Sequence, residues 1–419
     1  MTSKTPPGRA LWRHSDFLRL WAAQTVSEFG ARITREGLPM MAVMALSAAP
    51  GQLGVLAAVS NGSGLIVGLS AGDFVDHTLR RPILIAMDWA RALVLIVLPA
   101  AAWLGLLNML EVYAAAGLVA AGSALFAIAD HAYLPGLVGR AQVTDANAKL
   151  SATESVAEMA GPALAGMLFQ WLTAPIAVAV NAATYFASGL ILARIRAPEP
   201  PLDESRKRRG WVDGLVTGAR TSWGEPRVRM MLVMTAVGGL FGGFFSALYI
   251  AYVLRDLGLS PALLGLGIAS GGVGALTGSM LAQTMARWVG VGPAISLGGA
   301  LSALGTLIVL LAPRQPTGAM TALVVSQFLG DAFGVVPLIL ASSLRQTILP
   351  HTLLGRVGAT FRAVGGGTAV VGALTGGLLG QALGLRTALL LAIAGLLIGP
   401  LLGMFSPLRQ VKEMPADAL

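Results

Sequence analysis

Residues Phe17–Leu46 have the sequence FLRLWAAQTVSEFGARITREGLPMMAVMAL, an apolar run with charged residues near its middle. Thirty residues in an α-helix reach about 45 Å, which is enough to cross a bilayer and its interfaces. The charged residues are Glu28, Arg32, Arg35 and Glu36. Their spacings of three and four residues place them on one helical face, where they can partly pair. Since a charge at that depth costs at least about 2.5–3.5 kcal/mol, this face has to look into a protein interior or a wet cavity.

Two interpretations of this charged face are open. It is either a ladder of structural ion pairs, or part of a substrate or proton site near the middle of the bilayer. Other ionisable residues in apolar stretches are candidates for the same cavity: Asp130, Glu154, Glu158, Asp331 and Arg362. Glu154 and Glu158 are one helical turn apart and share a face. Asp331 and Arg362 are equally compatible with a simple ion pair between two helices.

The composition is typical of a helical membrane protein. Hydrophobic residues make up 55% of the 419 and charged residues 12%, whereas soluble proteins have about 25% charged residues. Apolar runs of about 20 residues or more are too long for the strands of an outer-membrane barrel. We therefore predict an all-α membrane protein with twelve transmembrane helices. They span approximately 16–47, 51–73, 83–107, 111–138, 146–170, 174–194, 229–255, 260–286, 290–312, 318–349, 353–382 and 385–406.

Lysine and arginine indicate the orientation, because cytoplasmic loops carry an excess of both. With the N-terminus inside, the opposite side carries only Arg255, Arg314 and Arg386. Both termini are therefore predicted to be cytoplasmic. The net charge of +9 follows the two membrane sides and does not indicate a nucleic-acid partner. The chain has no cysteine, and we expect no metal site and no cofactor.

One long polar segment divides the predicted spans six and six. We predict an N-terminal six-helix bundle over 1–194, a cytoplasmic central loop over 195–228, and a C-terminal six-helix bundle with a short tail over 229–419. Within the loop an apolar stripe recurs every four residues and predicts a short helix on the inner membrane surface. The stripe consists of Trp211, Leu215, Ala219 and Trp223.

A second charged element, GDFVDHTLRR, occupies residues 72–81 between the second and third spans. A tight turn there brings a carboxylate and a pair of guanidiniums to the cytoplasmic ends of two helices, where they can form a lock that breaks as the helices move. Asp88 and Arg91, three residues apart on the third helix, extend this gating network. The element resembles the G-x-x-x-D-x-x-x-R-[RK] signature of the major facilitator superfamily. The matching residues are Gly72, Asp76, Arg80 and Arg81.

A finer resemblance covers most of the chain. Its residues are Phe17–Trp21, Arg81–Ile85 with Asp88, Asn147 before Gly161–Pro162, Leu344–Gln346 and Leu354–Val357. They are similar to the branch of the superfamily that includes the macrolide-efflux and enterobactin-exporter-like proteins. The resemblance implies two pseudo-symmetric six-helix bundles and secondary export by exchange with protons. We further predict a monomer in the bacterial inner membrane, with a small-molecule substrate, protons and the lipid bilayer as partners.

Gly161, Pro162 and Gly166 on the fifth span resemble an abbreviated antiporter signature. Proline removes a backbone hydrogen bond, and small residues allow a close, bendable helix crossing. Because glycine is common in membrane helices, a role in packing alone is an equally good interpretation.

The sequence contains no catalytic constellation, so we do not expect an enzyme. The function predicted is proton-coupled export of a drug-like or siderophore-like molecule by alternating access. One alternative is a transporter of lysophospholipid or another anionic amphiphile, with Arg32 and Arg35 holding the head group. A second alternative is a membrane sensor that keeps the fold without transport.

Overall fold

The computed structural model describes residues 11–199, 210–313 and 315–414. Arg314 of the charge asymmetry, residues 200–209 of the predicted loop and the last five residues of the tail lie outside the described residues.

Twelve long helices follow one another in the described ranges, close to the predicted spans. They are α1 (Ser15–Ala45), α2 (Pro50–Ser70), α3 (Arg80–Trp103), α4 (Met109–Val138), α5 (Val143–Trp171), α6 (Ala174–Ala193), α7 (Pro226–Ala251), α8 (Pro261–Val289), α9 (Val291–Leu307), α10 (Pro316–Ile348), α11 (His351–Leu383) and α12 (Leu385–Met404). A five-residue helix, Gly72–Asp76, precedes α3, and a helix that we call the linking helix, Trp211–Gly224, precedes α7.

Ten of the twelve helices are long and apolar enough to cross a membrane by length and composition. The two that do not meet both conditions, α1 and α5, have 31 and 29 residues, so length is not what sets them apart. They carry six of the charged residues that the sequence singled out, namely Glu28, Arg32, Arg35, Glu36, Glu154 and Glu158. The described ranges therefore contain twelve long helices near the predicted spans, and two of these are set apart from the other ten by their charged residues.

Local signals explain where several helices begin and end. Asn108 caps the N-terminus of α4, and Glu111 completes a capping box with it. Proline occupies the first turn of α7, α8 and α10, where its missing N–H is not needed. Between α8 and α9 the chain turns at Gly290, whose φ of +95° disfavours any other residue.

Packing groups the residues into two compact units. The first unit consists of Met1–Met41 and Ser63–Arg209, and the second of Ala42–Gly62 and Gly210–Leu419. Each has its own apolar core, in which Phe17, Leu84 and Leu192 are fully buried in the first unit and Val228, Val336 and Leu344 in the second. The predicted limits of the two bundles, drawn by chain order alone, stay a prediction.

Residues 42–62 belong to the second unit although they precede the linking helix in the chain. Gly54 of α2 lies so close to α11 that a Cβ on it would come within 2.5 Å of the carbonyl oxygen of Ala373 and 2.7 Å of the Cα of Gly377. Arg255 donates hydrogen bonds to the carbonyls of Ala48 at 2.8 Å and Val43 at 3.3 Å, at the end of α1. A basic side chain at a helix C-terminus satisfies carbonyls that have no partner within the helix.

The linking helix packs on α11 through its small residues. A Cβ on Gly218 would overlap the backbone of Arg356, and Thr360 donates a hydrogen bond to the carbonyl of Leu215 at 3.2 Å. Trp211 and Trp223 of the predicted apolar stripe are exposed on this helix.

Candidate functional site

Six of the candidate side chains come together where α5 packs on α1. Arg32 is the centre of this charged cluster, and three carboxylates lie within ion-pair distance of its guanidinium. The separations are 2.5 Å to Glu158, 3.4 Å to Glu28 and 3.6 Å to Glu154. Glu28 lies one turn before Arg32 on the same helix, and the other two carboxylates come from α5. The charged face predicted on α1 and the acidic face predicted on α5 therefore contact each other.

Arg35 forms the second half of the charged cluster. Its Nε donates to Glu36 at 2.9 Å and one of its terminal nitrogens donates to Glu158 at 2.8 Å. Glu158 thus bridges both arginines. Four carboxylates surround two guanidiniums, so the cluster is acidic when every group is ionised.

Exposure differs between the acids and the central arginine. The side chain of Arg32 is 17% exposed, whereas those of Glu28, Glu158 and Glu154 are 37%, 45% and 61% exposed. The carboxylates are therefore the part of the cluster that is most exposed. Because the sequence predicts that α1 and α5 span the membrane, we expect water or polar partners at that face, where charged side chains are exposed.

Gly161 makes the approach of α5 to α1 possible. A Cβ at this position would overlap the Cβ of Arg32 and lie 2.9 Å from its Cγ. Pro162 and Gly166 are also buried, and all three residues lie inside one continuous helix. The packing interpretation of Gly161 thus has a specific contact, and the antiporter-like bend stays a prediction.

Asp130 on α4 has a different environment. Its Oδ1 accepts a hydrogen bond from the side-chain amide of Gln24 on α1. Among the described residues no lysine or arginine forms an ion pair with it. The neighbouring His131 contacts the carbonyl of Ala127 through Nδ1 at 2.9 Å, which is a bond within its own helix. Sequence reasoning missed Gln24, because a single amide in an apolar helix gives no signal of its partner.

The two arginines of the signature 72–81 donate hydrogen bonds to backbone carbonyls. One terminal nitrogen of Arg80 donates to the carbonyl of Asp76 at 3.4 Å. Arg81 donates to the carbonyls of Leu192 at 3.3 Å and Ala193 at 2.7 Å, at the end of α6. The sequence did not predict that Glu199 contacts the signature. Its carboxylate accepts the backbone N–H groups of Arg80 and Arg81 at 2.7 and 2.8 Å and so caps α3.

Asp88 and Arg91 form a buried ion pair in the first unit. Their side chains are 0% and 3% exposed. The guanidinium of Arg91 lies 4.3 Å from the ring centroid of Tyr185 and 4.7 Å from that of Phe126, and it donates to Ser123 at 3.1 Å. These contacts join α3, α4 and α6. Burial of this degree is typical of a structural pair, and its membership of a gating network stays a prediction.

Asp331 and Arg362 lie in the second unit. The carboxylate of Asp331 lies against Gly271 of α8, where a Cβ would overlap it. Arg362 lines a cavity of the second unit, together with Arg345 of α10. The sequence did not single out Arg345 as a site residue, because it has no charged neighbour on its own helix face.

Comparisons with known proteins agree with this architecture. A family model described as "Transmembrane secretion effector" matches residues 8–419. No curated protein sequence matches the chain.

Among solved structures, a mutant of the nucleoside transporter NupG is similar with a TM-score of 0.77 at 10% identity, covering 93% of this chain and 99% of that one. A bacterial homologue of the iron transporter ferroportin, in an inward-facing state, has a TM-score of 0.73 at 14% identity, with 93% and 98% covered. A bacterial homologue of the human lysosomal transporter Spinster has a TM-score of 0.71 at 13% identity, with 99% and 100% covered.

At these identities the solved structures establish the fold, and the family model covers nearly the whole chain. The family and these structural neighbours are membrane transporters rather than enzymes. This chain is therefore a multi-pass membrane transporter of the major facilitator superfamily, and it belongs to the transmembrane secretion effector family.

Proposed function

We propose that this protein is a secondary transporter that exports a drug-like or siderophore-like small molecule in exchange for protons, by alternating access. The outward direction is supported by the description of its family as a secretion effector. The excess of lysine and arginine in alternate loops supports an orientation with both termini in the cytoplasm. We place the protein in the bacterial inner membrane because it resembles exporters of that membrane. The resemblance to the macrolide-efflux and enterobactin-exporter-like branch supports the substrate class.

The observation that carries the proton coupling is the surplus of acid around Arg32. Its guanidinium has a close partner in Glu158 at 2.5 Å, while Glu28 and Glu154 stand further off at 3.4 and 3.6 Å. Like charges this close together disfavour simultaneous ionisation. Protonating Glu28 or Glu154 removes repulsion and still leaves Arg32 paired. The charged cluster can therefore take up and release a proton without stranding an unpaired cation in the membrane.

Asp130 is the second proton site in this proposal. The hydrogen-bond partner of Asp130 is the neutral side-chain amide of Gln24. Among the described residues no arginine forms an ion pair with the carboxylate of Asp130. We expect Glu28 to carry the coupled proton and Asp130 to modulate it, since Glu28 lies in the more exposed cluster.

Proteoliposomes that contain a pH-sensitive dye test the proposal. The probes are ethidium as a cationic drug, a neutral lipophilic dye, and dihydroxybenzoate as a siderophore fragment. We expect an imposed pH gradient to drive the flux of at least one probe, and that probe to move protons the opposite way when no gradient is imposed. Glu28→Gln should abolish the dependence on the gradient while leaving exchange of the probe.

Asp213→Asn, on the exposed surface of the linking helix, is the matched control, because it also removes one carboxylate. It should behave as wild type. Full gradient-driven flux in Glu28→Gln would take the proton role away from Glu28. Absence of any proton movement coupled to any probe in the wild type would contradict proton exchange.

A further inference from the structure

The second unit contains an open cavity of about 630 Å³. This volume lies within the range of about 300–1,000 Å³ that is usual for small-molecule sites. Helices α7, α9, α10, α11 and α12 all contribute to its wall. The apolar wall residues include Met231, Met234, Ile295, Ala303, Leu338 and Phe361. An apolar body of a small molecule is therefore accommodated without loss of hydrogen bonds.

Two arginines and no acid face this cavity among the described residues that line it. They are Arg345 of α10 and Arg362 of α11. The guanidinium of Arg345 lies 4.1 Å from the ring centroid of Phe361, which fixes its position at the wall. In the described parts of the chain neither arginine has a carboxylate within ion-pair distance. The arginines of the charged cluster in the first unit, in contrast, are already engaged by glutamates.

The other polar groups of the wall do not offer free protons. Thr235 donates its hydroxyl proton to the carbonyl of Met231 at 2.9 Å, and Ser302 donates to that of Gly330 at 2.7 Å. The hydrogen-bond donors left in the cavity wall are therefore the two guanidiniums. Arginine presents a planar fork that matches phosphate and carboxylate oxygens.

Two glycines of the cavity wall leave space that no neighbouring helix occupies. A Cβ on Gly238 of α7 would meet nothing within 4 Å. A Cβ on Gly358 of α11 would meet only a terminal nitrogen of Arg362, at 3.7 Å. Larger side chains at these positions would fill the cavity without displacing a neighbouring helix, so Gly238 is a suitable place to block it.

We propose that this cavity binds the transported substrate and selects an amphiphilic anion, namely a single acidic group such as a phosphate or carboxylate on an apolar body. Arg345 and Arg362 bind the acidic group, and the apolar residues of the wall bind the apolar body. This inference rests on the proposed transport function and assigns its substrate class. It replaces Arg32 and Arg35 as the residues that hold the acidic group of such a molecule.

Binding to wild-type protein in nanodiscs tests the head-group preference. The ligands are octyl phosphate, octyl glucoside and octyltrimethylammonium, which share one tail, and inorganic phosphate, which has none. We expect octyl phosphate to bind at least tenfold more tightly than each of the others in calorimetric titrations. Equal affinity for the three octyl compounds, preference for the cation, or equal affinity for inorganic phosphate and octyl phosphate would each overturn the proposal.

Variants then locate the site. Arg345→Gln and Arg362→Gln should each weaken octyl phosphate binding by about tenfold or more, as expected for one lost charge-assisted hydrogen bond. Binding of octyl glucoside should not change. Arg356→Gln, which removes the same charge from α11 outside the cavity wall, should bind as wild type. Arg345→Lys should recover part of the affinity, which keeps the test valid if Arg345→Gln fails to fold.

Gly238→Phe should abolish binding of both octyl phosphate and octyl glucoside by filling the cavity. Gly242→Phe, one turn further along α7, also has nothing within 4 Å of its Cβ position and does not line the cavity. It should bind both ligands. Normal octyl phosphate binding by Gly238→Phe would place the site elsewhere.

The two proposals fail separately. Tight octyl phosphate binding that Glu28→Gln leaves intact, with no proton movement in proteoliposomes, would refute the proton coupling and keep the anion site. Proton-coupled flux of ethidium, together with equal binding of the three octyl compounds, would refute the anion site and keep the coupling.

Discussion

Replacing Arg91 with methionine should cost the first unit about 3–5 kcal/mol of folding free energy, the usual range when one partner of a buried ion pair is removed. The magnitude follows from the burial. Asp88 is 0% exposed and would keep only neutral hydroxyl partners, Ser27 at 3.3 Å and Ser188, for a charge that water cannot reach. The guanidinium also lies over two aromatic rings, and a desolvated cation–π contact contributes about 2 kcal/mol.

A double substitution separates the pair from its surroundings. Asp88→Leu combined with Arg91→Met removes both charges at once, and such replacements are often neutral or stabilising. We therefore expect the double variant to be closer to wild type than Arg91→Met alone. Unfolding by SDS in mixed micelles, followed by tryptophan fluorescence, measures all three free energies.

Arg287→Met is the control for loss of an arginine from an exposed helix end, and it should stay within about 0.5 kcal/mol of wild type. Two results would refute the reasoning. One is an Arg91→Met variant as stable as Arg287→Met, and the other is a double variant as unstable as the single one. Either would mean that Asp88 and Arg91 are not the buried pair that joins α3 to its neighbours.

Three further variants test packing. Gly54→Leu should lower the unfolding temperature, because the backbone of α11 leaves no room for a side chain there. Gly68→Leu on the same helix, where a Cβ has nothing within 4 Å, should not lower it. Equal unfolding temperatures of the two variants would contradict the close contact. Arg255→Gln should speed amide exchange at the end of α1, measured by mass spectrometry, and unchanged exchange would mean that its two hydrogen bonds do not form in solution. Gly218→Val should detach the linking helix from α11, so that a cysteine introduced on α11 is labelled more readily. The labelling is specific because the chain has no other cysteine. Gly214→Val should leave the labelling low.

Periodicity and length were sufficient to predict the helices, because an apolar run has one stable form in a bilayer. The faces of the charged cluster were also predictable. Spacings of three and four residues on α1, and the one-turn spacing of Glu154 and Glu158 on α5, place the side chains on defined faces. That the two faces meet depends on helix packing, in which Gly161 allows Arg32 to approach. A small residue in a membrane helix does not indicate its partner.

Local spacing was less informative where burial decides the role. Asp88 and Arg91 were correctly seen as neighbours on one helix, but their depth in the unit depends on contacts with α4 and α6. The partners Gln24 and Glu199 lie more than 100 residues from the groups they bind. The cavity beside Arg345 exists because five helices leave space between them, and no single stretch of sequence encodes such a space.

The assignment of residues 42–62 to the second unit has a consequence for split versions of this transporter. A C-terminal fragment beginning at the linking helix would lack those residues and would expose the glycine face of α11, including Gly377 and Gly380, that they cover. Such a fragment lacks a segment that completes its own packing, as a pilin subunit does before it receives a strand from its neighbour. Co-expressed halves should therefore assemble only when the N-terminal piece retains the first half of α2, and a peptide corresponding to 42–62 should rescue the solubility of the C-terminal piece.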